Sequence, residues 1–144
     1  MESRIDSLEQ LSDYDFIAVT TGGSPKAEGL QWLADKGHEI VSPVPSLFTF
    51  QITDEALHAL MGTVVEDVMT MIPGTKLRAE GPLLITHWGM SGPSILKLSS
   101  YGARLLAESG YQTTLAVNWT KRRDTEVMVI LDEMMIRCPQ KQMK

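Results

Sequence analysis

The stretch EGPLLITHWGMSGPSILKLSS, Glu80 to Ser100, decides how the rest of the chain is read. Leu83-Leu84-Ile85-Thr86 is an apolar run of strand length, and His87-Trp88-Gly89-Met90-Ser91-Gly92-Pro93 is a turn punctuated by glycine. Beyond it, Ile95, Leu98, Gly102 and Leu105 recur with helical spacing. Strand, tight turn, helix is the expected order. Ser91 stands where an N-cap belongs, Pro93 sits just inside the first turn, where its missing N–H costs nothing, and Gly110 closes the helix. A turn fixed in this way holds its polar residues in place, which makes His87, Trp88 and Ser91 candidates for a site.

Outward from the turn, three runs at Thr63 to Ile72, Thr75 to Ala79 and Leu83 to Thr86, joined through Pro73-Gly74 and Gly81-Pro82, read as an antiparallel meander. Leu47 to Ile52 and Tyr111 to Asn118 alternate as strands too. A short helix at Asp54 to Leu60 carries His58, read as an exposed helix residue. A final helix spans Thr125 to Arg137 behind an Asp124 cap. Near the front, Phe16 to Thr20 reads as a buried strand that opens into Thr21-Gly22-Gly23. Ala27 to Lys36 follows as a helix with Gly37 at its C-terminal end. Pro43 and Pro45 then enforce an extended crossing. Six strands, mostly antiparallel, with three or four helices give an α+β class: a meander or a partly closed small barrel with the central helix packed across it.

A chain of 144 residues, 43% hydrophobic and 22% charged, is long enough for one ordinary core. Its net charge of -5 gives no electrostatic footprint for nucleic acid or an anionic membrane. Lys121-Arg122-Arg123 reads as a solvated loop. The single cysteine, Cys138, rules out an internal disulfide framework. No stretch approaches membrane-spanning length and the N-terminus lacks an apolar signal region, so a cytoplasmic location is expected.

Three chemistries compete for the turn. Gly89-Met90-Ser91-Gly92-Pro93 approaches the G-x-S-x-G elbow of serine hydrolases, but Pro93 replaces the last glycine, and His38, His58 and His87 all precede Ser91. Anion binding at the helix start is available to almost any helix. No His, Cys or carboxylate set has metal-ligand spacing. The residues alone leave a domain of undecided role.

Three stretches taken in order change that. Thr21-Gly22-Gly23-Ser24-Pro25, then Gly37-His38-Glu39-Ile40 with Pro43, Pro45, Ser46 and Leu47, then Thr86 to Ser99 resemble the YhiN/BaiN-like flavoproteins, a family of FAD-containing, NAD(P)-linked oxidoreductases. The resemblance runs from about Phe16 to Trp119 and covers only the middle of the family's proteins. It implies a remnant of an FAD-binding domain at 1–45 (strand, Gly-Gly turn, helix), a β-rich insert domain with helices at 46–137, and a tail at 138–144. It further implies that Thr21, Gly22 and Gly23 approach FAD in an intact relative, where glycine permits close backbone contact. The G-x-G-x-x-G that seats the pyrophosphate does not occur here, so no FAD is expected on this chain alone. The partner implied is the remainder of the FAD-binding domain, with a homodimer also open. Two roles follow: a substrate-cleft insert of a flavin oxidoreductase, inactive by itself, or a stand-alone binding domain of the same fold without redox chemistry.

Overall fold

A computed structural model describes residues 8–20, 22–24 and 26–139. The chain divides into two units, Met1–Pro43 and Val44–Lys144. In the first, a 3-10 turn at Leu8–Leu11 is followed by residues 12–20 without helix or strand, and a second 3-10 turn at Ala27–Leu30 runs into helix α1, Gln31–Ala34. Gly37, at φ +89°, ends it: His38 N–H donates to Leu33 C=O and Gly37 N–H to Ala34 C=O, the paired closure that a left-handed glycine permits. The strand expected at Phe16–Thr20 does not form. Phe16 is 95% exposed there. An apolar run becomes a buried strand only if neighbours take its backbone hydrogen bonds, and none is present among the described residues.

The second unit is built on strands β1 (Phe50–Gln51), β2 (Val64–Met71), β3 (Arg78–Thr86), β4 (Gly89–Ser91) and β5 (Ala116–Asn118). They form one antiparallel sheet in the order β1-β4-β3-β2-β5. Helices α2 (Glu55–His58), α3 (Pro93–Tyr101), α4 (Ala103–Glu108) and α5 (Asp124–Arg137) complete it. The class is α+β, as the sequence implies, yet several elements differ from expectation.

The two strands expected on either side of Gly81-Pro82 are a single strand, β3. Pro82 has no N–H for the ladder, and the register against β2 shifts between Val65 and Val68, so Glu66 and Asp67 bulge opposite it. The bulge keeps both Val65 and Val68 on the inner face. The turn before the helix is also shorter than expected, because the chain reverses at His87-Trp88 and runs back as β4. Ser91 is therefore a strand residue opposite Leu84, and Gly92 takes the N-cap. Only glycine serves there: φ is +98°, and a Cβ would lie 2.8 Å from Pro82 C=O. Pro93 opens α3 as expected. At Gly102 the helix passes into α4 beneath Leu77, whose Cδ1 lies 3.3 Å from the place of a Cβ. Across that junction Leu106 is the buried residue, at 0% exposed, and Leu105 faces outward.

Helix α3 packs chiefly on β3, with β2 and β4 beside it. Val68, Leu83, Ile85, Met90 and Ile95 form one buried cluster, and Ile72, Ala79, Leu98 and Leu106 a second. Complete burial of a Leu or Ile side chain contributes about 1.5–3 kcal/mol, so these clusters dominate the stability. Phe50 of β1 and Leu115, just before β5, pack against both clusters from opposite sheet edges. The sheet must curl for that, and it is a partly closed barrel whose edges approach without hydrogen-bonded pairing.

Buried hydroxyls tie the layers together. Ser94 Oγ donates to Pro82 C=O at 3.0 Å, serving a carbonyl beside the bulge, and Thr70 Oγ1 lies 3.2 Å from Ala79 C=O and 3.3 Å from Ser94 C=O. Ser99 Oγ accepts from Phe48 N–H at 3.1 Å and has Leu96 C=O and Ser46 C=O within reach at 2.9 and 3.2 Å. Through Ser99, the extended segment leading to β1 is anchored to the central helix.

Candidate functional site

Two features of the second unit present side chains in arrangements that suit a ligand. The first is the β3–β4 hairpin tip. Thr86 pairs with Gly89, leaving His87 and Trp88 as the reversal. Both side chains are exposed, Trp88 at 46%, and their ring centroids are 4.3 Å apart at 64°. The tip is held from β1: Ile52 N–H donates to Trp88 C=O at 2.9 Å, and a Cβ on Gly89 would collide with Phe50 C=O. His58, expected as an exposed helix residue, is half-buried, and its Nε2 lies 2.6 Å from Ile52 C=O. Asp54 caps α2 by accepting from Ala56 N–H and Leu57 N–H.

Ser91 is apart from the tip, three residues down β4. Among the described residues of the second unit no hydrogen bond joins Ser91 to His58 or His87, and a strand position opposite Leu84 is not the sharp strand-to-helix elbow that a nucleophile requires. The hydrolase arrangement is absent from this geometry. Of the three turn candidates, the fold brings His87 and Trp88 into ring contact and leaves Ser91 outside that contact.

The second feature was not signalled by any motif. Between β1, with the segment leading to it, and the loop that follows α4 lies a groove of about 800 Å³, with Phe48, Phe50 and Tyr111 as its aromatic residues and Gln51, Gln112 and Thr113 among its polar ones. Phe48 lies 5.8 Å, edge to face, from Tyr111 and 5.9 Å from Phe50. Helix α4 ends in the same paired closure as α1, with Tyr111 N–H donating to Leu106 C=O at 2.7 Å, Gly110 N–H donating to Ala107 C=O, and Gly110 at φ +65°. Tyr111 itself is then left-handed, at φ +61°. The alternation of Phe48 and Phe50 along Leu47 to Ile52 was the only sequence trace of this groove.

Lys121 lies in the loop between β5 and α5, as expected, but its side chain is paired. Its Nζ lies 2.9 Å from Asp67 Oδ1 in the β2 bulge and 2.8 Å from Glu80 Oε2 on β3. The hydrogen bonds to Glu80 and then Asp67 push the ammonium up to about 12, against a smaller opposing effect of desolvation.

The residues implied for cofactor contact lie in the first unit. Thr21 falls outside the described residues. Gly22, at φ +80°, and Gly23 are exposed, with open space where a Cβ would stand. Among the described residues no strand precedes them, and the helix behind them, α1, is four residues long.

Residues 44–144, the whole stretch that contains the sheet, hairpin and groove, match the HI0933-like protein barrel and H2TH domain. The chain belongs to the HI0933-like family. This is the flavoprotein family that the three sequence stretches resemble. The HI0933-like chain is also similar to a curated protein of Haemophilus influenzae, a ribosomal RNA dihydrouridine synthase, at 36% identity over 93 residues. That match covers 59% of this chain and 23% of the relative, so the chain spans less than a quarter of the relative's length. No helix among the described residues is long and apolar enough to cross a membrane.

Proposed function

We propose that this chain is the substrate-side barrel module of a flavin-dependent, NAD(P)-linked oxidoreductase that acts on uridine in ribosomal RNA, and that it is not catalytically competent alone. The observation that carries the reading is the 36% identity to a ribosomal RNA dihydrouridine synthase, in a chain whose barrel matches a flavoprotein family. Saturating a uracil ring is a two-electron reduction, and no side chain described here supplies electrons. The redox chemistry falls to FAD held by the remainder of the FAD-binding domain, the partner this reading requires. A cytoplasmic location suits an enzyme of ribosomal RNA.

The net charge of -5 bears on how RNA is met. Phosphate-driven affinity needs clustered Lys and Arg, so in this reading the backbone contacts come from elsewhere in the intact protein and the barrel contributes contacts to bases. Gly22 and Gly23 offer FAD only a few backbone hydrogen bonds, each contributing about 0.5–1.5 kcal/mol net, against a roughly 4–15 kcal/mol cost of immobilising a ligand. Titration of the chain with FAD, followed by flavin fluorescence, is expected to show no saturable binding in the micromolar range. Saturation there places the cofactor site within these residues and overturns the division of labour.

The full-length protein, given unmodified ribosomal RNA and NAD(P)H, is expected to add two hydrogens to a uridine, read by mass spectrometry of the digested RNA. A flavin-loaded protein that oxidises NAD(P)H and leaves every ribosomal uridine unchanged overturns the reading. A second reading, a stand-alone binding domain without redox chemistry, draws support from the self-contained core of the second unit. An in-frame G-x-G-x-x-G upstream of this chain decides against it.

A further inference from the structure

We propose that the groove between β1 and the loop after α4 is a stacking site for an unpaired pyrimidine base of the uracil type in RNA, with Tyr111 as its platform. The proposal rests on the RNA reading above and adds the residues that meet a base. Three observations carry it.

The first is the lining. Phe48, Phe50 and Tyr111 supply aromatic surface, Thr49, Gln51, Thr53, Gln112 and Thr113 supply hydroxyls and amides, and among the described residues no charged side chain lines the groove. Such a surface suits a neutral, flat ligand with hydrogen-bonding edges and offers nothing to a phosphate. The second is the open edge of β1. Ile52 N–H bonds to Trp88 C=O in the register Phe50↔Met90 and Gln51↔Gly89. Bonding residues alternate along an antiparallel ladder, so the Gln51 N–H and C=O point away from β4, to the open side of β1, and Gln51 is one of the residues lining the groove. One donor and one acceptor on a single residue match the adjacent C=O and N–H of a uracil imide.

The third is Tyr111 itself. A bulky residue at φ +61° is strained, yet this one is a half-exposed tyrosine directly after a glycine that already ends the helix. The helix closure and the Phe48 contact hold the ring at the groove rim in that conformation. Glycine or asparagine would adopt the backbone more easily. The aromatic ring is therefore the feature that the strained position presents.

The pyrimidine end of a flavin carries the same imide, so the test separates the two sources. The chain is titrated with labelled single-stranded oligouridylate, oligoadenylate, riboflavin and an extended apolar peptide. Oligouridylate is expected to saturate in preference to oligoadenylate, with little dependence on salt. Tyr111→Phe keeps the ring and the binding. Tyr111→Gly and Tyr111→Asn relieve the backbone, retain cooperative melting, and weaken oligouridylate by about tenfold or more. Absence of saturation by oligouridylate, or unchanged binding in both folded variants, overturns the proposal. Saturation by riboflavin alone assigns the groove to flavin and overturns the RNA source, and saturation by the peptide alone makes the β1 edge a strand-addition site and overturns it as well. In the full-length protein, normal uridine reduction by Tyr111→Gly overturns the groove while the functional reading stands. Oligouridylate binding that is lost in Tyr111→Gly, alongside a full-length protein that reduces no uridine, supports the groove while the functional reading fails.

Discussion

Lys121 holds two carboxylates from different strands, Asp67 and Glu80, with its side chain 28% exposed. Its ammonium is raised from 10.5 to about 12, so the contribution to folding is fully present below about 10.5 and is lost as pH rises through about 12. Thermal melts of the wild type and Lys121→Met are expected to differ at pH 9 and to converge above about pH 12; a constant difference across that window refutes the linkage. Strong salt shrinks the difference too, because the cluster lies near the surface. Trp88 poses a different question. At 46% exposed on the hairpin tip, its truncation to alanine is expected to cost about 1 kcal/mol. Leu98→Ala, at a site 0% exposed, should cost about 2–5 kcal/mol. Chemical denaturation separates these, and equal losses contradict the exposure of the tip.

The segment before β1 depends on one hydroxyl. Ser99→Ala removes the acceptor of Phe48 N–H and a donor toward Ser46 C=O, leaving part-buried backbone groups unpaired. A cost of about 1–3 kcal/mol is expected, with faster amide exchange across 46–52 than across β3. Uniform protection in the variant shows that the segment is held by its aromatic contacts instead. The hairpin illustrates how far local signals reach. A strand followed by a helix was legible in Leu83 to Thr86 and Ile95 to Leu98, but the turn between them was not. A two-residue reversal at His87-Trp88 is favoured only because β1 lies close enough to take the Trp88 carbonyl and to exclude any side chain at Gly89. Nothing within the turn encodes the position of β1.

Helix α5 shows the same limit at the scale of the molecule. Met128, Val129, Met135 and Ile136 are 57 to 81% exposed on it, and none of its residues is buried. A face of this kind promotes association. The chain in solution is expected to dimerise or associate further as concentration rises, as read by light scattering, and to lose that tendency when Met135 and Ile136 are replaced by Gln. A strict monomer at high concentration contradicts it.

The sequence by itself determined the α+β class, the central helix with Pro93 at its start, the glycine closures at Gly37 and Gly110, and the family, because periodicity, backbone chemistry and ordered motifs are local properties. Tertiary structure decided the rest. Pro82 and Gly81 were read as a turn, yet pairing with β2 absorbs them into one continuous strand, since two bulged residues on the partner, Glu66 and Asp67, accommodate the missing N–H. Phe16 to Thr20 has the composition of a strand and forms none, because a strand exists only where neighbours satisfy its backbone. The groove arises from the meeting of Phe48 and Tyr111, 63 positions apart, when the sheet curls around a core shared by its two edges. Curling depends on the sum of side-chain volumes inside the barrel, a quantity that no short window of sequence contains.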